Sequence, residues 1–222
     1  MQQNLLLADM IFKKKEEDLY LKASKLAFEN AKIIYDEAKL LNNEGHSARG
    51  FTLSIISLEE SAKAFLLRLI SLNLVDERKT MNFVRKHDTK LLQSSQILSF
   101  SFNLASIILD YVKIAQEQGY IKTKVPIPEQ YKKNVKAWSE LAKMVANFHR
   151  IRLDSIYVDV REGKIIDPND MFKKEPVSEI LELVEMQITV VKVFINMPNS
   201  QFLEVWKEPL ASQLNMEYFS KP

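Results

Sequence analysis

Only four glycines and seven prolines interrupt the 222 residues, and this scarcity of breakers constrains the fold more than any other feature. A sheet protein of this length draws on both residues for its many tight turns, whereas long helices need few of either. Apolar residues recur every three or four positions, the period of one helix face. The spacing predicts a first helix over 16–41, striped by Leu19, Ala23, Leu26, Asn30, Ile34, Ala38 and Leu41. The run "NNEG" stops it, with Gly45 suited to a left-handed C-terminal position.

A second helix is predicted over 47–74, with Phe51, Ile55, Leu58, Ala62, Phe65, Leu69 and Leu72 on its inner face. A third helical region covers about 80–118 and restarts near His87-Asp88-Thr89, where Asp88 or Thr89 caps a new N-terminus. Pro126 and Pro128 make 120–130 a linker. A fourth helix follows over about 129–156, striped by Trp138, Leu141, Val145, Phe148, Arg152 and Ile156. Residues 157–167 change character. Tyr157 to Val160 alternates, and Glu162-Gly163 reads as the turn of a short hairpin or extended loop. A fifth helix spans about 177–196, and a last short one starts after Ser200.

These elements make an all-α chain: an up-down bundle of five to six helices with a short extended or hairpin segment near 157–167. The length suits one sizeable core. The expectation is a single domain over 1–222, its core at about 16–197 and a C-terminal appendage over 199–222.

Several functions drop out early. The absence of cysteine removes disulfides, thiolate metal sites and cysteine nucleophiles. There is no glycine-rich phosphate loop and no His-Glu-x-x-His. His46, His87 and His149 lie in three separate segments, so neither a metal nor a cofactor is expected. A net charge of +2 does not announce nucleic-acid binding by itself. The N-terminus lacks the pattern of a signal peptide. The 19 uncharged residues from Leu91 to Leu109 approach a membrane span, but eight of them are Gln, Ser or Asn, which points to a helix buried in the bundle. The expected location is the cytoplasm, away from any membrane.

Two segments break the plain bundle pattern. In "SLEESAKA" (57–64), Glu59 sits toward or beside the apolar stripe, and Lys63 lies four residues on, the favourable order for an intrahelical ion pair. In "HRIRLDSIYVD" (149–159), Arg152 occupies a stripe position. A buried arginine costs several kcal/mol unless it is paired and hydrogen-bonded, and Glu59 or Glu60 is the nearest acidic candidate. His149 shares a face with Arg152, one turn earlier, and Tyr157 lies just past the helix end. The alternative for Arg152 is a side chain that reaches back to water near the helix end. Two runs are mostly basic: 132–152, and 78–90 with Arg78, Lys79, Arg85, Lys86 and Lys90. Facing one groove, they would attract a phosphate backbone.

These residues resemble a known family. The helix "SIISLEESAKAFLL", with Glu60-Ser-Ala-Lys63-Ala64, followed much later by "RLDSIYVD", with Arg152 and Tyr157-Val158-Asp159, looks like the AbiV-type abortive-infection proteins of the HEPN superfamily. "NFVRKHDTKLL" (82–92), with His87 and Lys90, resembles the family's middle segment, and "ENAKIIYDEAKLLNNEGHSARGFTLSIISLEE" has the family's look. The resemblance covers roughly residues 20–170. It implies a HEPN-like bundle, often a homodimer, in a superfamily where many members are metal-independent endoribonucleases of toxin–antitoxin or antiphage systems.

Their signature is Arg, four to six residues, then His. Here four residues separate Arg152 from Tyr157, and six separate Arg150 from it, so a tyrosine stands where the histidine would be. A phenol is a poor base at neutral pH. The resemblance implies Arg152 as phosphate or transition-state ligand, with Tyr157 and His149 as polar neighbours and Glu59 or Glu60, with Lys63, orienting it. His87, Lys90, Arg150 and Asp159 would contact nucleic acid. The base would be His149 or His87, or Tyr157 would only position a phosphate. The expected function is antiphage defence acting on RNA or translation as a homodimer, with a phage or host protein as trigger. The alternative is a non-catalytic HEPN-like module that binds nucleotide, RNA or protein.

Overall fold

The computed structural model describes residues 2–87, 89–99, 144–145, 148–171 and 177–204. The expected linker 120–130, the second half of the third helical region, most of the fourth helix before Phe148 and the chain after 204 lie outside them. Helix α1 runs Gln2–Asn43 and α2 runs Ser47–Ser71. Gly45 turns the chain between them at φ +82°, a left-handed conformation that glycine adopts without steric cost. Helix α3 spans Glu77–Val84, three residues earlier than the periodicity indicated. Asp76 is the reason: its side chain accepts from the Lys79 amide at 2.7 Å and caps the helix. Helical backbone follows over 89–99. Helix α4 is Phe148–Asp154, β1 is Asp159–Arg161, β2 is Lys164–Ile166, α5 is Pro168–Met171 and α6 is Val177–Asn196. A final helical turn covers 199–204.

The described residues form an all-α bundle with one small antiparallel ribbon. Asp159 pairs with Ile166, Val160 with Ile165 and Arg161 with Lys164. Glu162 and Gly163 join the strands, and both have positive φ, as a two-residue hairpin with the sheet's twist requires.

Helix α2 is the axis of the bundle. Every residue of its expected stripe, from Phe51 to Leu72, is buried, and α1 and α6 pack against it and against each other. The α6 stripe (Ile180, Val184, Ile188, Val191 and Ile195) is buried throughout as well. The α1 stripe is different. Ser24, Ala27, Phe28, Ala31, Tyr35 and Ala38 face the core, while Leu19 and Leu26 are 60% and 63% exposed. Close approach of the two backbones explains the rotation. Ser24 Oγ donates to the Ala64 carbonyl and Ser57 Oγ to the Ala31 carbonyl, both at 2.7 Å. A Cβ on Gly50 would sit 3.1 Å from the Ala38 carbonyl oxygen. Leucines do not fit in such a seam.

Buried polar groups tie the helices together. Arg68 is 1% exposed and closes the end of α6, donating to the carbonyls of Phe194 (3.3 Å) and Met197 (2.7 Å) beneath the Phe202 ring. It thereby satisfies carbonyls that the helix end leaves without partners. Gln187 of α6 donates to the Leu58 carbonyl at 2.9 Å and to Ser61 at 2.6 Å. Ser94 also reaches the Leu58 carbonyl, at 3.0 Å, which brings the 89–99 helix onto α2.

Tyr35 gives this packing a pH signature. Its hydroxyl donates to Glu185 Oε2 at 3.2 Å, and burial, then the Glu185 charge, push the phenol up to about 12. The folded state thus holds this proton more tightly than the unfolded chain, whose phenol titrates near 10. The stability it contributes is complete below pH 10 and is lost as pH rises from 10 to about 12. Tyr35→Phe is expected to make unfolding less steep across that window. A tyrosinate absorbance titration of the wild type should show one late ring that the variant lacks.

Candidate functional site

The site begins with Glu59, which has a charge where α2 is otherwise apolar. It is 1% exposed. A carboxylate so buried survives only with cations or hydrogen-bond donors around it, and an arginine, a histidine and a lysine converge on it. Arg152 Nη1 lies 3.3 Å from Oε1, His87 Nδ1 is 2.5 Å from Oε2 and Lys90 Nζ is 3.4 Å from Oε2. Arg152 Nη1 also approaches His87 Nδ1 at 3.3 Å. Oε1 is held by the Arg152 charge without a well-aligned hydrogen bond.

The partners come from two segments, and local chemistry places each one. His87 and Lys90 flank the start of the 89–99 helix. Thr89 fixes that turn by donating to the carbonyls of Phe83 (2.5 Å) and Lys86 (2.9 Å), stapling it to the end of α3. Arg152 occupies the last turn of α4, where a cation suits the helix dipole. Helix α4 is docked by Phe148 edge-on against Phe51, with ring centroids 5.9 Å apart. Beyond it, Ser155 donates to the Arg152 carbonyl at 2.7 Å and shares a 2.5 Å hydrogen bond with Thr52 of α2. Asp154 faces the ribbon and takes both ends of the Arg161 guanidinium.

The sequence left two acidic residues open as partners for Arg152, and the geometry separates them. Glu59 faces Arg152. Glu60 points the other way, to Lys63 at 3.1 Å and Asn30 at 3.3 Å, so Lys63 pairs with Glu60 and not with Glu59. Tyr157 is 62% exposed and does not fold back over Arg152. Asp159 accepts from its neighbours, the Val160 amide at 2.8 Å and Arg161 Nε at 2.7 Å, and both hold its carboxyl below the usual range. His149 and Arg150 lie on α4, and the surroundings of their side chains fall outside the described residues. Sequence reasoning missed the Thr52–Ser155 and Asp154–Arg161 links, because nothing in the spacing of such distant polar residues marks them as neighbours.

Electrostatically, the Glu59 carboxylate faces an arginine, a lysine and a histidine, so basic side chains outnumber the acidic one among these four residues. Arg152 and Lys90 are nearly enclosed, whereas the His87 side chain is 52% exposed. Water and ligands therefore meet the cluster through the imidazole. In the neutral tautomer that lets Glu59 accept at Nδ1, the lone pair is on Nε2. This is the carboxylate–histidine arrangement that orients a general base.

A family model described as AbiV, of HEPN type, matches residues 19–189, a span that includes all four residues. The chain belongs to the AbiV family of HEPN proteins. No curated protein and no solved structure matches it. This AbiV-family chain is accordingly an abortive-infection HEPN protein. Among its described residues, no helix is long and apolar enough to cross a membrane, and no group of three His, Asp or Glu is placed to hold a metal ion.

Proposed function

We propose that this protein acts on RNA as a metal-independent endoribonuclease of antiphage defence, with His87 supplying the base that the Arg–His signature lacks at Tyr157. The observation that supports this is the contact of His87 with both Glu59 and Arg152. His87 Nε2 would take the proton of a ribose 2′-hydroxyl. The 2′ oxygen then attacks the adjacent phosphorus, the bond to the 5′ oxygen breaks, and that oxygen leaves with a proton from water. The products are a 2′,3′-cyclic phosphate and a 5′-hydroxyl. Arg152, backed by Lys90, would stabilise the charge that grows on the phosphoryl oxygens. Exposed Arg85 and Lys86, beside His87, would steer the RNA backbone. The reading places the protein in the cytoplasm, as a homodimeric toxin released by a phage or host trigger.

The test uses purified protein, total RNA and a chelator. Wild type is expected to leave 2′,3′-cyclic phosphate ends, and Arg152→Ala to leave none while retaining helicity. RNA that stays intact with wild type, together with tight RNA binding, would move the site to a binding role, with Tyr157 and the cluster only positioning a phosphate.

A further inference from the structure

Helix α1 carries a second apolar stripe that the bundle does not use. Leu19, Leu26, Ile33 and Leu40 are 60%, 63%, 58% and 61% exposed. Single exposed leucines are ordinary. These four are not scattered, because each is seven residues from the next. At 100° per residue they fall within about 60° of one another, roughly opposite the buried Ser24, Ala31 and Ala38. Polar residues border them, with Asp18, Lys22, Lys25, Glu29, Asp36 and Glu37 in the same stretch. In the sequence the same spacing continues back to Phe12 and Leu5, and α1 itself reaches back to Gln2. An apolar column that repeats every seven residues on a helix this long supplies one of the two core columns of a paired-helix seam; the other, four residues on, is here Ala23, Asn30 and Glu37.

The charges beside the seam indicate what covers it. The column three residues after each stripe position reads Lys22, Glu29 and Asp36, preceded in the sequence by Lys15. Its sign changes from positive to negative near Leu26. An identical helix laid antiparallel, centred on Leu26, sets Lys22 opposite Glu29 of the second copy, twice by symmetry. Glu29 already holds Lys32 (2.9 Å) within α1, and a carboxylate has acceptor sites for a second cation. The opposite flank sets Ala23 beside Asn30.

We infer that two copies of this chain pair antiparallel through α1, with Leu26 against Leu26 and Leu19 against Ile33. This rests only on the homodimer of the reading above and gives it a surface, while its test reads mass and cross-links instead of RNA cleavage.

The absence of cysteine makes that test clean. Under oxidation, Leu26→Cys should cross-link with itself. Leu19→Cys and Ile33→Cys should each stay uncross-linked alone and join when mixed. By sedimentation, Leu26→Lys/Ile33→Lys should weaken association by about 100-fold or more with helicity unchanged. Lys22→Glu should weaken it several-fold, and adding Glu29→Lys should restore it. A wild-type mass of one chain at every concentration overturns the inference. So does self-cross-linking of Leu19→Cys and Leu40→Cys, which means parallel pairing, or a dimer that survives Leu26→Lys/Ile33→Lys.

Discussion

Glu59→Ala should unfold this protein at markedly lower temperature, by about 10 °C for a loss of about 3–5 kcal/mol. The cost is not that of one lost hydrogen bond. Removing the carboxylate takes from Arg152 and Lys90, each with about a tenth of its side chain exposed, the anion they share. Two comparisons isolate this cause. Glu60→Ala, the adjacent residue, removes a partly exposed pair with Lys63 and an exposed hydrogen bond from Asn30, and pairs of that kind contribute about 1 kcal/mol or less. Combining Glu59→Ala with Arg152→Met should recover part of the loss, because the buried arginine leaves together with the carboxylate that faces it. Scanning calorimetry of the wild type, Glu59→Ala, Arg152→Met and the double variant gives the coupling directly. Additive losses at Glu59 and Arg152 would mean that the ion pair is not what holds α4 to α2.

His87→Ala should do the reverse. Its side chain is half exposed, so the melting temperature should shift little, within about 1 kcal/mol of stability. Cleavage of RNA should fall by about 10²–10⁴-fold, the usual contribution of a positioned general base. Tyr157→Phe separates the two candidate aromatic and imidazole roles, since it should leave the rate nearly unchanged. Equal losses in Tyr157→Phe and His87→Ala would return the base to the position where the superfamily's signature puts it.

The parts of this fold that were legible in the sequence are those where packing is simplest. Helices α2 and α6 are enclosed by neighbours, so their periodic apolar residues all lie inside. On helix α1, three- and four-residue spacing admits more than one stripe. The choice between them fell to close backbone approach, which favours Ser24, Ala31 and Ala38 over Leu19 and Leu26. In the site, the Glu59–Arg152 contact was legible because an arginine on an apolar stripe demands an anion. His87 was one of several candidates, since only the turn between α3 and the next helix brings it to Glu59. Arg68 gave no sign at all. Its partners are main-chain carbonyls at the end of α6, and main-chain groups have no signature in sequence.

The burial of Glu59 also governs what can be learned from living cells. A chain weakened there spends more time unfolded and is cleared by proteases, so its abundance drops. A Glu59 variant and a His87 variant would then look alike in a phage-survival assay, one because little protein remains and the other because the protein present is inert. Immunoblots run beside plaque counts tell them apart, and only the second kind of variant reports on chemistry.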